Sequence, residues 1–95
     1  MCNYKLEKAS PNHRKFILDC ILEASKSGHF NPIFYQQKNN KQMISGLEFQ
    51  IDLTLNYENM PTSNGNFVSS KLYVYLQNGN PCAMSWIQGE EIYLF

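Results

Sequence analysis

The sequence predicts one α+β domain spanning residues 1–95, an antiparallel β-meander accompanied by one or two helices. Three observations carry that expectation. Residues Pro11 to Ser27 place Phe16, Ile17, Cys20, Ile21 and Ala24 at three- and four-residue spacing, the period of a half-buried helix. The last third alternates over Lys71–Gln77, Cys82–Gln88 and Glu91–Phe95, which reads as three strands. Between the first two lies Asn78-Gly79, the pair best suited to a two-residue hairpin turn that needs positive φ at both positions.

The elements follow in order. Asn3 to Lys8 alternates Tyr4 and Leu6 with Lys5 and Glu7, a short strand. Ser10-Pro11 is a helix start, because serine caps the first amides and proline suits the first helical position. Lys15, Asp19, Glu23 and Lys26 mark the wet side of the helix, and Gly28 stops it. Asn31 to Ser45 is ambiguous. Phe34-Tyr35 suggests a buried turn, and Gln36 to Gln42 a solvated loop or short helix. Leu47 to Tyr57 supports two readings. Strict alternation of apolar and polar residues argues for a strand, while Ile44, Leu47, Ile51 and Leu55 form a helical stripe. Asn59 to Asn66 reads as a loop, and a second tight turn falls near Gly89.

The hairpin can be carried into a register. With Asn78 and Gly79 at the centre of the turn, Tyr75 falls opposite Cys82 and Tyr73 opposite Met84. One face then holds Tyr73, Tyr75, Cys82, Met84, Trp86, Tyr93 and Phe95. The other holds Leu72, Val74, Leu76, Ala83, Ser85, Ile87, Ile92 and Leu94. Both are apolar, whereas a sheet with one wet face alternates apolar and polar residues. The sheet therefore calls for cover on both sides, and one clear helix is present to give it.

Composition narrows the function classes. The chain is 43% hydrophobic and 17% charged, which is globular rather than disordered. Eight basic and eight acidic residues cancel, and the one dense basic group is His13-Arg14-Lys15. A nucleic-acid partner is not expected, because such binding rests on displacing counterions with a basic patch. No run approaches the ~20 apolar residues of a membrane span, and no apolar leader opens the chain. Three cysteines without a secretion signal suggest free thiols in a reducing cytoplasm. No metal is expected. Cys2, Cys20, Cys82, His13 and His29 show no zinc-ligand spacing.

The segments Tyr4 to Phe30 and Lys71 to Phe95 resemble the N-terminal half of the GNAT superfamily of N-acetyltransferases. The likeness runs through a first strand, a helix ending in Ser-Gly-His-Phe, and the pattern of Leu72 to Tyr75, Asn78-Gly79 and Ser85 to Ile87. Glu91 to Phe95 looks like the start of the family's fourth strand. The resemblance implies a GNAT-like half-domain with a second helix around Leu47 to Tyr57. In the complete family fold helices cover both faces, so a chain without the downstream helix is expected to leave one face, the aromatic one, without cover. Family members hold the pyrophosphate of acetyl-CoA on a glycine-rich loop after that fourth strand, at a helix N-terminus. Gly28, Gly46, Gly65, Gly79 and Gly89 form no such loop, so no cofactor is expected for this chain.

Individual residues carry little chemistry. A Cys82–His29 nucleophilic pair has no local signature, and buried free cysteines usually act as small apolar groups. His29 follows a helix stop, where satisfying the last carbonyls is the ordinary role. Glu90-Glu91 reads as a solvated turn rather than a base pair. No catalytic, cofactor-binding or metal-binding residue is assigned.

What remains is the aromatic face. Tyr73, Tyr75, Met84, Trp86, Tyr93 and Phe95 are the candidate protein interface, because Tyr and Trp are favoured interface anchors. Ordinary core beneath Asn31 to Tyr57 is the competing reading. The expected function is a non-catalytic protein-binding module with a protein partner or a homodimer. Small neutral proteins of this size include phage and mobile-element inhibitors of the anti-CRISPR type. The alternative is an acetyltransferase half completed by another chain or by dimerisation.

Overall fold

The computed structural model describes residues 4–62 and 64–95. Cys2, Asn3 and Ser63, which figure in the readings above, lie outside the described residues. The order is β1 (Tyr4–Lys8), a 3-10 turn (Pro11–His13), α1 (Arg14–Lys26), α2 (Ile33–Gln36), α3 (Lys41–Tyr57), β2 (Asn59–Pro61), β3 (Phe67–Gln77), β4 (Asn80–Gln88) and β5 (Glu91–Leu94). The fold is α+β. Helix α2 is a single turn, so the expected one or two helices are α1 and α3.

Strand β3 is the spine of the sheet. On one edge it pairs antiparallel with β1 over Tyr73–Gln77 and with β2 over Phe67–Ser69. On the other it pairs with β4, and β4 with β5, giving the order β1-β3-β4-β5. The stretch expected as a loop, Asn59 to Asn66, therefore opens with a strand of three residues, Asn59–Pro61. Its tip is closed by the Thr62 amide donating to the Asn66 carbonyl at 2.7 Å.

Helix α1 ends as the sequence expects. Gly28 takes φ 84, its amide donates to the Ser25 carbonyl at 3.3 Å, and the His29 amide donates to Ala24 at 2.9 Å. That is a Schellman stop, which leaves the last carbonyls satisfied. At the other end the Ser10 amide donates to His13 Nδ1 at 3.1 Å. The ambiguity at Leu47 to Tyr57 resolves to helix. Asn40 Oδ1 accepts from the amides of Gln42 at 3.1 Å and Met43 at 3.4 Å, capping a helix of 17 residues. Leu47 and Ile51 are buried, while Phe49 and Tyr57, which a strand would have placed with them, are exposed; Thr54, which a strand would have placed on the opposite face, is buried too.

The expected hairpin register is corrected by one residue. Asn78 and Gly79 occupy the turn at φ 54 and φ 83, and Gln77↔Asn80 and Leu76↔Pro81 pair as counted. Then the register shifts: Tyr75 faces Ala83, Val74 faces Met84, Tyr73 faces Ser85 and Leu72 faces Trp86. Cys82 is the extra residue of a β-bulge. Pro81, which lacks an amide hydrogen, precedes it, in a part of β4 that β5 does not reach. Prolines in sheets sit at such bulges and open edges.

One extra residue exchanges the faces of β4 relative to β3. The helix-covered face therefore combines Leu72, Val74 and Leu76 with Met84 and Trp86, not with Ala83 and Ser85. These five pack with Ile17 and Ile21 of α1 and Leu47 and Ile51 of α3 in one core. Arg14 ties the two helices from outside, its Nη2 at 3.0 Å from Glu48 and 2.9 Å from Asp52.

Candidate protein-contact face

Both long helices contribute to that single core on one side of the sheet. The opposite face is built by the register. Following the pairs, Leu6, Tyr75 and Ala83 form one cross-strand row. Lys8, Tyr73, Ser85 and Leu94 form the next, and Lys71, Ile87 and Ile92 a third. Tyr4 extends the face beside Gln77. Among the described residues no helix packs on these rows. Tyr4 is 67% exposed, Leu6 55%, Ile92 64% and Leu94 72%.

The polarity of β1 is inverted relative to the fold. Its charged pair Lys5 and Glu7, 3.5 Å apart, lies on the side of the sheet where the helices sit. Its apolar Tyr4 and Leu6 lie on the side with no helix. A strand on a sheet with one wet face does the reverse. The face also has relief. Ala83 and Ser85 of β4 make a furrow between Tyr73 and Tyr75 on one side and Leu94 on the other. Ser85 is buried between its cross-strand neighbours Tyr73 and Leu94. Lys8 and Lys71 stand at one end of the face beside the end of α3, where Lys8 is ion-paired with Glu58.

The six residues expected at an interface are divided between the two faces. Tyr73 and Tyr75 lie on the open one. Met84 and Trp86 are 1% exposed in the core, beneath α1 and α3. Tyr93 and Phe95 join an aromatic cluster on the helix side, with ring centroids 5.4 and 5.3 Å from Phe30, which itself stacks on Phe34 at 5.4 Å. The bulge is the physical reason for the division. Leu6, Ile87, Ile92 and Leu94 are open-face residues that the aromatic criterion passed over. The signal available in the sequence was Pro81, which argues against a continuous ladder through β4.

Among the described residues no cysteine is hydrogen-bonded to a histidine. Cys20, Cys82 and His29 do line one groove of about 250 Å3, beside Ala24, Leu94 and Phe95. But Cys82 Sγ donates to the Tyr75 carbonyl at 3.3 Å, and His29 Nδ1 lies 3.1 Å from Ser27 Oγ. Burial, and secondly the charge of Asp19, push the Cys20 thiol up to about 11, away from the reactive thiolate. Glu91 accepts from the Tyr93 hydroxyl, and this hydrogen bond is the main cause that raises the tyrosine's pKa. Among the described residues no three His, Cys, Asp or Glu side chains are grouped to hold a metal, and no helix is long and apolar enough to cross a membrane.

No protein-family model matches the chain, and searches of curated proteins and of solved structures returned no match. Nothing in those comparisons links it to the acetyltransferase superfamily.

Proposed function

We propose that this protein is a non-catalytic binding module that acts by protein contact through the open face of its sheet. The observation that carries this reading is the inverted strand β1, whose apolar side chains lie where no helix covers them. Exposed apolar patches beyond a few hundred Å2 are uncommon on monomers unless they serve contact. Tyrosines beside aliphatic residues are the composition favoured at interface centres. The test is a photo-crosslinking amino acid placed at Ile92 or Leu94 in cells, with Gln36 on α2 as control. Discrete protein adducts from the sheet positions alone are expected. Adducts no more frequent than at Gln36 would retire the reading.

The acetyltransferase-like scaffold is a proposal of the same kind. It draws support from the order of strand, helices and antiparallel strands, and from a helix at Lys41–Tyr57, where the resemblance expects one. An acetyltransferase half completed by a second chain is the reading that this scaffold leaves beside the first. Calorimetry with acetyl-CoA separates them. A binding module gives no saturable heat, and a defined stoichiometry would favour the enzyme half.

A further inference from the structure

We infer that the occupant of the open face is a second copy of this chain, seated sheet to sheet about a two-fold axis. The inference rests on the reading of that face as a contact surface. Area is the first argument. The exposed fractions of Tyr4, Leu6, Tyr75, Ile92 and Leu94 amount to on the order of 600 Å2 of surface per copy, taking ~200 Å2 for a large side chain. Two identical patches together reach ~1,200 Å2, the lower bound of a stable specific interface. Width is the second. Four strands at ~4.8 Å spacing make a face ~19 Å across. One helix, ~10 Å in diameter, covers about half of that. A second four-strand sheet covers all of it, at the ~10 Å separation of stacked sheets.

Shape and charge agree with an isologous contact, in which one patch must complement itself. An axis running between β3 and β4 lays the Tyr73–Tyr75 ridge of each copy along the Ala83–Ser85 furrow of the other. The charge at the end of the face is already matched within the chain, where Lys8 is ion-paired with Glu58. The chain's net charge of zero adds no long-range repulsion between copies.

Sedimentation equilibrium on the purified chain, from about 1 to 200 μM, tests the inference. A monomer–dimer equilibrium, or a dimer throughout this range, is expected. Leu94→Glu and Leu6→Glu, each placing a charge on the face, weaken it at least tenfold. Phe49→Glu, on the exposed side of α3, leaves it unchanged. The emission of Trp86, buried on the other side of the sheet, reports that each variant is folded. A wild-type chain that stays monomeric throughout overturns the second copy while leaving the contact face to the crosslinking test. A dimer that both face variants leave intact is built on another surface; it overturns the second copy on this face and leaves the contact face to the crosslinking test.

Discussion

The indole Nε1–H of Trp86 donates to Ser70 Oγ at 2.8 Å, and that hydroxyl lies 2.6 Å from Thr54 Oγ1. Thr54 in turn donates to the Gln50 carbonyl at 2.9 Å. The indole can only donate, and the one Thr54 hydroxyl proton is committed to the Gln50 carbonyl, so the chain runs Trp86 to Ser70, Ser70 to Thr54, Thr54 to the backbone of α3. Three buried polar groups from β4, β3 and α3 are satisfied without water, and the chain pins α3 to the sheet at one register.

Breaking the chain in the middle is therefore the most damaging polar change. Ser70→Ala strands the indole N–H, and an unsatisfied buried donor costs about 1–3 kcal/mol. Urea unfolding followed by Trp86 emission measures it. The Ser70→Ala/Thr54→Val double variant should lose less than the sum of the two single ones, because both remove the same link.

Helix α3 makes a second, sharper distinction. Ile51 is fully buried and Phe49 is 59% exposed, although simple alternation treats them alike. Ile51→Ala should destabilise by about 2–5 kcal/mol. Phe49→Ala should stay within about 0.5 kcal/mol, as surface changes do. Equal losses in thermal or urea unfolding would mean that the segment is not helical in solution.

Two glycines should respond to alanine with opposite sign, although a Cβ at either meets open space. Gly46 sits inside α3, where alanine raises stability by roughly 0.5–1 kcal/mol. Gly79 holds φ 83 in the hairpin turn, where alanine is strained and costs about 1–2 kcal/mol. Paired melting curves give both values.

The two described cysteines should separate chemically. In a Cys2→Ser background at pH 8, iodoacetamide should label exposed Cys82 before Cys20, as mass spectrometry of the digested protein would show. The Cys20 thiol is raised from 9.0 to about 11 on folding, so the unfolded chain ionises first. Its contribution is intact below pH 9 and is lost as pH climbs through 11. Between those values the wild type should lose more melting temperature than Cys20→Ala.

By itself the sequence determined whatever is set by neighbours along the chain. The Gly28 stop, the Asn78-Gly79 turn and the α1 stripe are local conformational preferences, and each stands where it was read. The α+β class followed from their order. The sequence left Leu47 to Tyr57 open because its alternating apolar residues satisfy both periods at once. Tertiary packing settled it, burying the fourfold-spaced Leu47 and Ile51 against the sheet and leaving Phe49 outside. The candidate face was less legible. Its members depend on register, and register turned on one unpaired residue, Cys82, after Pro81. A one-residue bulge leaves the local pattern of each strand untouched, yet it changes which side chains of β3 share a face with those of β4. Only the folded sheet could part Trp86, in the core, from Tyr73, on the open side, because a face is a property of paired strands and not of either strand alone.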